Sequence, residues 1–132
     1  MISLTSLEAL VGQQIGLSDW FEIGPARVAL FEHAVESQPV DRVPPFLLLS
    51  LLPYLLSGVM LPTGNPRATI NYGLERLESG SVVVVGERVR ARALLEGVER
   101  IGDSIQIRRR VIVETEDSQM ALDAVTITRL VY

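Results

Sequence analysis

The chain has 132 residues, of which 48% are hydrophobic, and a formal net charge of −4 at neutral pH. This length supports one hydrophobic core, so we expect a single domain over residues 1–132. Cysteine is absent, His33 is the only histidine, and all 12 basic residues are arginine. These counts exclude disulfides, thiolate chemistry, a lysine Schiff base and a histidine-rich metal site, and the acidic balance argues against nucleic acid as a partner. We expect no metal and no cofactor.

The first segment predicts a short helix followed by a strand. Thr5 and Glu8 form a capping-box pattern at the start of a helix over residues 5–10. Residues 17–23 then alternate between two sets of side chains, as in a strand. Residues 1–13 lack the basic and apolar segments of a secretory signal peptide, so we expect a cytoplasmic protein.

An amphipathic helix and a loop come next. Residues 26–35 place Val28, Phe31 and Val35 on one helical face, which we expect to point inward. Residues 36–44 contain two prolines, and we expect a loop there.

The central stretch, residues 45–58, is apolar on every face. A helix of this composition must be surrounded by protein or by lipid. The run is shorter than the about 18–20 residues of a membrane span. It also contains Ser50, Pro53 and Gly58, so we expect a buried core helix and no membrane association. Pro53 lacks the N–H that would bond to the Leu49 carbonyl, and we expect a kink or a break there.

The second half of the chain predicts an antiparallel meander. Alternating stretches separated by turn residues indicate four long strands, at residues 67–78, 86–100, 104–116 and 121–132. The clearest period of two places Val89, Ala91, Ala93 and Leu95 on one face, with arginines on the other. The element order predicts an α+β fold in which an antiparallel sheet wraps around the central helix.

Four ordered blocks resemble the NodN-like branch of the MaoC-like hydratase family: residues 12–20 (GQQIGLSDW), 49–53 (LSLLP), 70–74 (INYGL) and 85–90 (VGERVR). The resemblance covers nearly the whole chain. It implies a hot-dog fold, in which an antiparallel sheet curls around one long helix. It also implies a dimer with active sites between helix and sheet at the subunit interface, and hydration or dehydration of acyl thioesters on coenzyme A or acyl carrier protein.

The sequence departs from the family at three places. Ser37 stands where the family has an aspartate after a Thr-Gly pair, and the Trp-Ile-His-Val-Asp stretch with the catalytic histidine is missing. The family enters the central helix through Ala-His-Gly, whose glycine N–H donates to the thioester carbonyl. Here those positions are Val43, Pro44 and Pro45, and proline has no N–H. We therefore expect no useful hydration of short 2-enoyl thioesters, and a more open pocket mouth.

Three functions stay open. We favour a repurposed enzyme that binds a long polyketide- or acyl-derived substrate, possibly linked to a carrier protein or coenzyme A, in an apolar pocket. It would promote cyclisation, isomerisation or a pericyclic step by holding the reacting atoms together. The alternatives are a non-catalytic hot-dog subunit of an active hydratase or dehydratase, and an acyl or small-molecule binding module. We expect a homodimer, because a curled sheet leaves edges and an apolar rim that a second copy can cover.

The candidate site residues lie in the shortened loop, on the central helix and in the matching blocks. The candidate catalytic residues could act as acid or base: His33, Glu36, Ser37 and Asp41. The candidate substrate-binding residues are Trp20, Gln38, Phe46, Tyr54, Asn71 and Tyr72. Each has a structural alternative, namely a solvated polar group or an aromatic or amide side chain that serves packing alone.

Two arginine series have two interpretations. Arg88, Arg90 and Arg92, and the run 108–110, could meet the phosphates of phosphopantetheine or coenzyme A. As alternating residues on the outer face of a sheet, they are more simply cross-strand partners of glutamates: Glu96, Glu99 or Glu114.

Overall fold

A six-stranded antiparallel sheet curls around one apolar helix in the computed structural model, which describes residues 4–38 and 41–132. The helices are α1 (Leu4–Glu8), α2 (Pro25–Ala34) and α3 (Pro45–Leu55). The strands are β1 (Gln14–Leu17), β2 (Phe21–Glu22), β3 (Ala68–Ser79), β4 (Arg88–Ile101), β5 (Ser104–Thr115) and β6 (Met120–Val131). The sheet order is β1-β4-β5-β6-β3, with β2 also paired to β4. The predicted α+β architecture is confirmed.

The four long strands lie within two residues of the predicted bounds. Their alternation is explained by burial, because the inward residues of β4 are fully covered: Val89, Ala91, Ala93 and Leu95 are each 0% exposed. The outward positions of β4 carry arginines that reach solvent with their charged ends. Alternating hydrophobicity was therefore sufficient to place the meander.

The predicted strand over residues 17–23 is divided into β1 and β2. Ser18 follows β1, and its side-chain oxygen accepts the Ala91 N–H at 2.8 Å while its own N–H donates to the Ala91 carbonyl at 2.9 Å. A side-chain acceptor thus replaces a backbone acceptor, and the regular ladder is interrupted at that point.

The helix α3 ends at Leu55, three residues before the predicted end. Pro53 lies in the last turn of α3, two residues before its end. The N–H that proline lacks therefore removes a hydrogen bond only from the final turn of the helix. One face of α3 is buried against the sheet and carries five leucines: Leu47, Leu48, Leu51, Leu52 and Leu55. Contrary to the expectation of burial on every side, Phe46 is 65% and Tyr54 63% exposed in this single chain.

The segment before α3 differs from the prediction in one residue. Val35 was expected to point inward, but it follows the end of α2 and is exposed, while Glu32 is the buried residue of the last turn. The expected loop, residues 36–44, includes residues 39 and 40, which lie outside the described residues. After them the chain runs beside residues 83–85, where the Val43 N–H donates to the Val83 carbonyl at 2.7 Å.

Two apolar clusters form the core. The larger one lies between α3 and the sheet, and the smaller one lies under α1 and includes Leu7, Leu95 and Ile107. Within residues 4–38 and 41–132, no helix is long and apolar enough to cross a membrane.

Candidate functional site

Two cavities open beside α3, one on each side of the helix. The first, which we call the α3–β3 cavity, has a volume of about 430 Å³. Its apolar wall comes mainly from α3 and the residue after it: Leu49, Leu52, Pro53 and Leu56. Its polar groups come from the sheet: Asn71 on β3, Arg109 on β5, and Thr126 and Thr128 on β6. A wide apolar wall with a few converging polar groups is the usual composition of a small-molecule site.

Arg109 is the charged group of the α3–β3 cavity. It occupies an inward position of β5, in line with buried apolar residues: Ile105, Ile107, Val111 and Val113. Its Nη2 donates to the Thr128 hydroxyl at 3.3 Å. Its Nε is buried and, within the described residues, has no hydrogen-bond partner. Burial lowers the pKa of the Arg109 guanidinium from its ordinary value, but an arginine stays cationic at neutral pH.

The neighbouring arginines point the other way. Arg108 donates to Glu75 at 2.6 and 2.8 Å, and Arg110 donates to Asp123 at 3.1 and 2.7 Å, both on the outer face of the sheet. The predicted outer-face position is therefore wrong for Arg109 and correct for Arg108 and Arg110. The sequence contains the signal for this difference. Side chains alternate along a strand, so Arg109, two residues from both Ile107 and Val111, must share their face.

The second cavity lies between α3 and the first strands and has a volume of about 510 Å³. We call it the α3–β1 cavity. It is lined in part by aromatic side chains, with the Phe21 and Tyr54 ring centroids 5.3 Å apart and tilted by 60°. The Arg90 guanidinium lies 4.5 Å from the centroid of Trp20, which also lines this cavity. These rings form an aromatic wall, and the polar groups of the cavity include Ser18 and Asp19.

The four candidate catalytic residues lie on the exposed segment after α2. His33 is exposed on the last turn of α2, and its carbonyl accepts the Glu36 N–H at 3.2 Å. The Ser37 N–H donates to a carbonyl of α2 at 2.8 Å, and the Asp41 carbonyl accepts a backbone N–H at 3.1 Å. All four side chains are exposed, and none lines either of the two cavities. Their catalytic role stays a prediction.

The candidate substrate-binding residues are divided between different surfaces. Trp20 and Tyr54 line the α3–β1 cavity, and Asn71 lines the α3–β3 cavity. Tyr72 lies on the outer face of β3, where the Arg129 guanidinium is 3.8 Å from its ring centroid. Phe46, on the first turn of α3, and Gln38, after α2, are exposed. The structure therefore does not bring these six residues into one site.

Two of the three predicted glutamates are cross-strand partners of outer arginines. Arg90 and Arg92 both contact Glu114, at 2.7 and 3.0 Å, and Arg108 lies 3.8 Å from Glu96 but closer to Glu75. Among the described residues, no ion pair involves Glu99. The hydrogen bond from Arg90 lowers the pKa of the Glu114 carboxyl from its ordinary value, and the bond from Arg92 acts in the same direction.

Asp123 is the most buried carboxylate of this outer network, with 5% exposure. Arg110 and Arg76 approach it at 2.7 and 3.0 Å. The hydrogen bond from Arg110 is the main reason why the pKa of the Asp123 carboxyl lies below its ordinary value. The outer face is therefore a surface of matched charges.

The entry to α3 has the geometry that its two prolines dictate. Pro44 is the N-cap, with φ −62° and ψ 138°, and Pro45 is the first helical residue. The Leu47 N–H donates to the Pro44 carbonyl at 3.0 Å. Since Pro45 carries no N–H, the helix offers no backbone donor at its first position.

Comparison with known proteins finds relatives along most of the chain. The 3-hydroxyacyl-thioester dehydratase Z of Mycobacterium tuberculosis (strain H37Rv) is 34% identical, over 88% of this chain and 87% of the relative. Nodulation protein N of Rhizobium leguminosarum bv. viciae is 30% identical, over 96% of this chain and 90% of the relative. No family model matches the chain.

Solved structures share the architecture. The MaoC-like dehydratase from Rhodospirillum rubrum superposes with a TM-score of 0.75 at 12% identity, over 95% of each chain. At this identity the likeness concerns the fold alone, and it confirms the hot-dog fold expected from the sequence.

Proposed function

The chain belongs to the family of MaoC-like hot-dog dehydratases, and from this premise we propose that it is a repurposed member that binds a long polyketide- or acyl-derived substrate in an apolar pocket. It promotes cyclisation, isomerisation or a pericyclic step by holding the substrate in a reactive shape. The observation that carries this proposal is the α3–β3 cavity, an apolar space of about 430 Å³ with a few polar groups. Hot-dog dehydratases act on acyl thioesters, so a substrate derived from an acyl chain fits the scaffold.

Ordinary hydration is a poor fit to this chain. The first helical residue of α3 is Pro45, so the backbone donor that the family resemblance implies cannot form. Loss of one oxyanion donor alone costs about 2.7–4 kcal/mol of transition-state stabilisation. Ser37 holds the position of the family aspartate, and its side chain is exposed.

Reactions within one bound molecule do not need a full acid–base pair. Correct orientation of reacting atoms can supply about 7–11 kcal/mol of the barrier. In the α3–β3 cavity, Leu49, Leu52 and Leu56 would fix the chain of the substrate, while Asn71 and Thr126 would orient its oxygen atoms. The candidate acid or base groups line neither cavity, and their role in the reaction stays a prediction: His33, Glu36, Ser37 and Asp41.

A homodimer is part of the same proposal. At the edge of the sheet, β3 carries exposed Ile70, Tyr72 and Leu74, and α3 exposes Phe46 and Tyr54. A second copy that covered these side chains would remove an apolar surface from water.

A single domain and a cytoplasmic location also remain proposals.

Light scattering at micromolar concentration tests the assembly. We expect a mass twice that of the 14.5 kDa chain. Leu74→Glu should shift the protein toward the monomer, whereas Leu30→Glu, at an exposed position on α2, should not. A clean monomer of the unchanged protein would contradict the homodimer.

Two activity measurements test the reaction. An absorbance assay with short 2-enoyl thioesters should show turnover far below the ordinary range of about 1–10³ per second. Biosynthetic genes beside the encoding gene would indicate which linear polyketide or acyl precursors to test. These precursors should give a cyclised or isomerised product faster with the protein than without it. Equal rates and product profiles in both samples would rule out the proposal for those precursors.

The second candidate is a non-catalytic subunit of an active hot-dog hydratase or dehydratase. The same exposed apolar side chains on α3 and β3 favour it, because they suit a different hot-dog chain as well as a second copy. Rescue of solubility by co-expression with such a chain, together with monomeric behaviour alone, would favour this candidate. Co-purification of an unchanged ligand would instead favour a plain binding module.

A further inference from the structure

We propose that the α3–β3 cavity binds a molecule with one carboxylate and an apolar chain, and that Arg109 is the residue that holds the carboxylate. This inference rests on the proposed function for the choice of cavity, and it adds the chemical class of the ligand: a free carboxylic acid rather than a neutral ester or thioester.

The position of Arg109 on the sheet is the first argument. Its cross-strand neighbours are Leu95 on β4 and Thr126 on β6, and Ile107 and Val111 precede and follow it on the same face. Leu95 and Ile107 belong to the smaller apolar cluster, while Val111 belongs to the larger one. A single cation therefore lies between the two halves of the apolar core.

The missing counter-charge is the second argument. Among the described residues, no carboxylate lies within ion-pair distance of Arg109, and its only hydrogen bond goes to the Thr128 hydroxyl. Its buried Nε has no partner. A guanidinium removed from water needs a hydrogen-bonded anion to offset the lost hydration. The carboxylates next to its neighbours in the sheet register, Glu96 and Glu75, contact Arg108 instead.

The rest of the cavity specifies the anion. A guanidinium presents a planar fork of N–H groups that matches the two oxygen atoms of a carboxylate. Arg109 is the only basic side chain that lines the cavity among the described residues, so one negative charge is matched and two are not. Three of the four wall residues lie at the C-terminal end of α3, where the helix dipole is negative and disfavours the second charge of a dianion such as phosphate: Leu52, Pro53 and Leu56.

The apolar wall specifies the body of the ligand. Leu49, Leu52 and Leu56 face the same space as Arg109. The volume of about 430 Å³ lies within the ordinary range of small-molecule pockets. An acyl chain along α3 with its carboxylate on Arg109 would satisfy both the apolar wall and the unpaired cation.

Calorimetric titration with four probes tests the inference: octanoate, octan-1-ol, methyl octanoate and octyl phosphate. We expect the unchanged protein to bind octanoate about 10- to 100-fold more tightly than the two neutral probes, as one charge-assisted contact implies. Octyl phosphate should bind more weakly than octanoate. Equal affinity for octanoate and octan-1-ol, or tighter binding of octyl phosphate, would overturn the assignment.

Three variants locate the contact. Arg109→Met should abolish the preference for octanoate, and Arg109→Lys, which keeps the charge but loses the fork, should retain part of it. Arg108→Met is the matched control, because Arg108 faces outward to Glu75, and it should bind all four probes as the unchanged protein does. A preference for octanoate that survives in Arg109→Met would place the anion elsewhere and overturn the proposal. Failure of octanoate to bind, combined with a weakened dimer in Arg109→Met, would do so too, because a carboxylate of a second copy would then be the partner.

The readouts separate this inference from the proposed function. Arg109-dependent binding of octanoate without any turnover of linear precursors would leave the carboxylate site standing and remove the catalytic proposal. Turnover of precursors that is unchanged in Arg109→Met, together with no preference for octanoate, would remove the carboxylate site and leave the catalytic proposal standing.

Discussion

Arginines on the two faces of the sheet have different partners. On the outer face, Arg108 and Arg110 are each matched by a carboxylate, whereas Arg109 between them faces inward and has only a hydroxyl partner. Cross-strand charge pairs of the outer kind support a sheet. An unpaired cation on a core face weakens it, and natural proteins keep such groups mainly where they serve a function. The outer pairs therefore contribute to stability, and the unpaired Arg109 is the residue to which we have assigned a binding role.

The largest effect on stability is expected from the outer face. Asp123→Asn removes the negative charge that Arg110 and Arg76 share at a buried position. Because hydrogen bonds to charged groups contribute about 1.5–3 kcal/mol, the free energy of unfolding should fall by about that amount. Urea denaturation measures it. Asp103→Asn, in the exposed β4–β5 turn, makes the same change of charge and should have almost no effect; equal losses in both variants would remove the distinction.

A change of opposite sign is expected on the inner face. Arg109→Met replaces an unpaired, largely buried cation by an apolar side chain of similar length. The ligand-free protein should become more stable, by about 1–2 kcal/mol, because the charge no longer loses its hydration on folding. Thermal and urea unfolding of the two proteins give the difference. Marked destabilisation by Arg109→Met would mean that the cation has a counter-charge in the folded protein.

The loss of stability at acid pH should depend on the ion pairs of the outer face. The pKa values of the Asp123 and Glu114 carboxyls are lowered in the folded chain, chiefly by hydrogen bonds from Arg110 and Arg90. A lowered folded pKa gives stability that is present above the unfolded pKa of about 4 and is lost as the pH falls through the folded value. Urea midpoints between pH 7 and about pH 2 should therefore decline, and the decline should be shallower in Asp123→Asn. An identical slope in that variant would exclude Asp123 as a contributor.

The smallest effect is expected at the exposed end of the outer face. Arg88 and Glu116 form an ion pair at 2.6 Å, but both side chains are about half exposed. Glu116→Gln should leave the free energy of unfolding almost unchanged, because solvent screens such pairs. The same urea experiment checks this expectation. A loss as large as that of Asp123→Asn would show that burial is not what separates strong from weak pairs on this face.

The sequence predicted the sheet better than the site, for a physical reason. The alternation that placed β4 records which side chains leave water, and burial acts on each strand locally. The same rule places Arg109 inward, since it lies two residues from both Ile107 and Val111, which are buried. The error was to treat three consecutive arginines as one group.

The cavities depend on contacts that no local pattern records. The α3–β3 cavity exists because α3 approaches β3 and β6 at particular residues, which belong to distant parts of the chain. The exposure of Phe46 and Tyr54 has a similar origin. Composition shows that an apolar residue favours burial, but it does not show whether its own chain or another molecule covers it.

The placement of β3 has a consequence for the order in which the chain folds. β4, β5 and β6 pair with their neighbours in sequence, and the first hairpin closes where Ile101 meets Ser104. β3 instead pairs with β6, so Ala68 meets Val131 across the whole meander. Contacts between distant residues form late, because the intervening chain loses entropy before they are made. We expect the amide hydrogens of β3 to exchange with solvent through local openings that leave the meander intact.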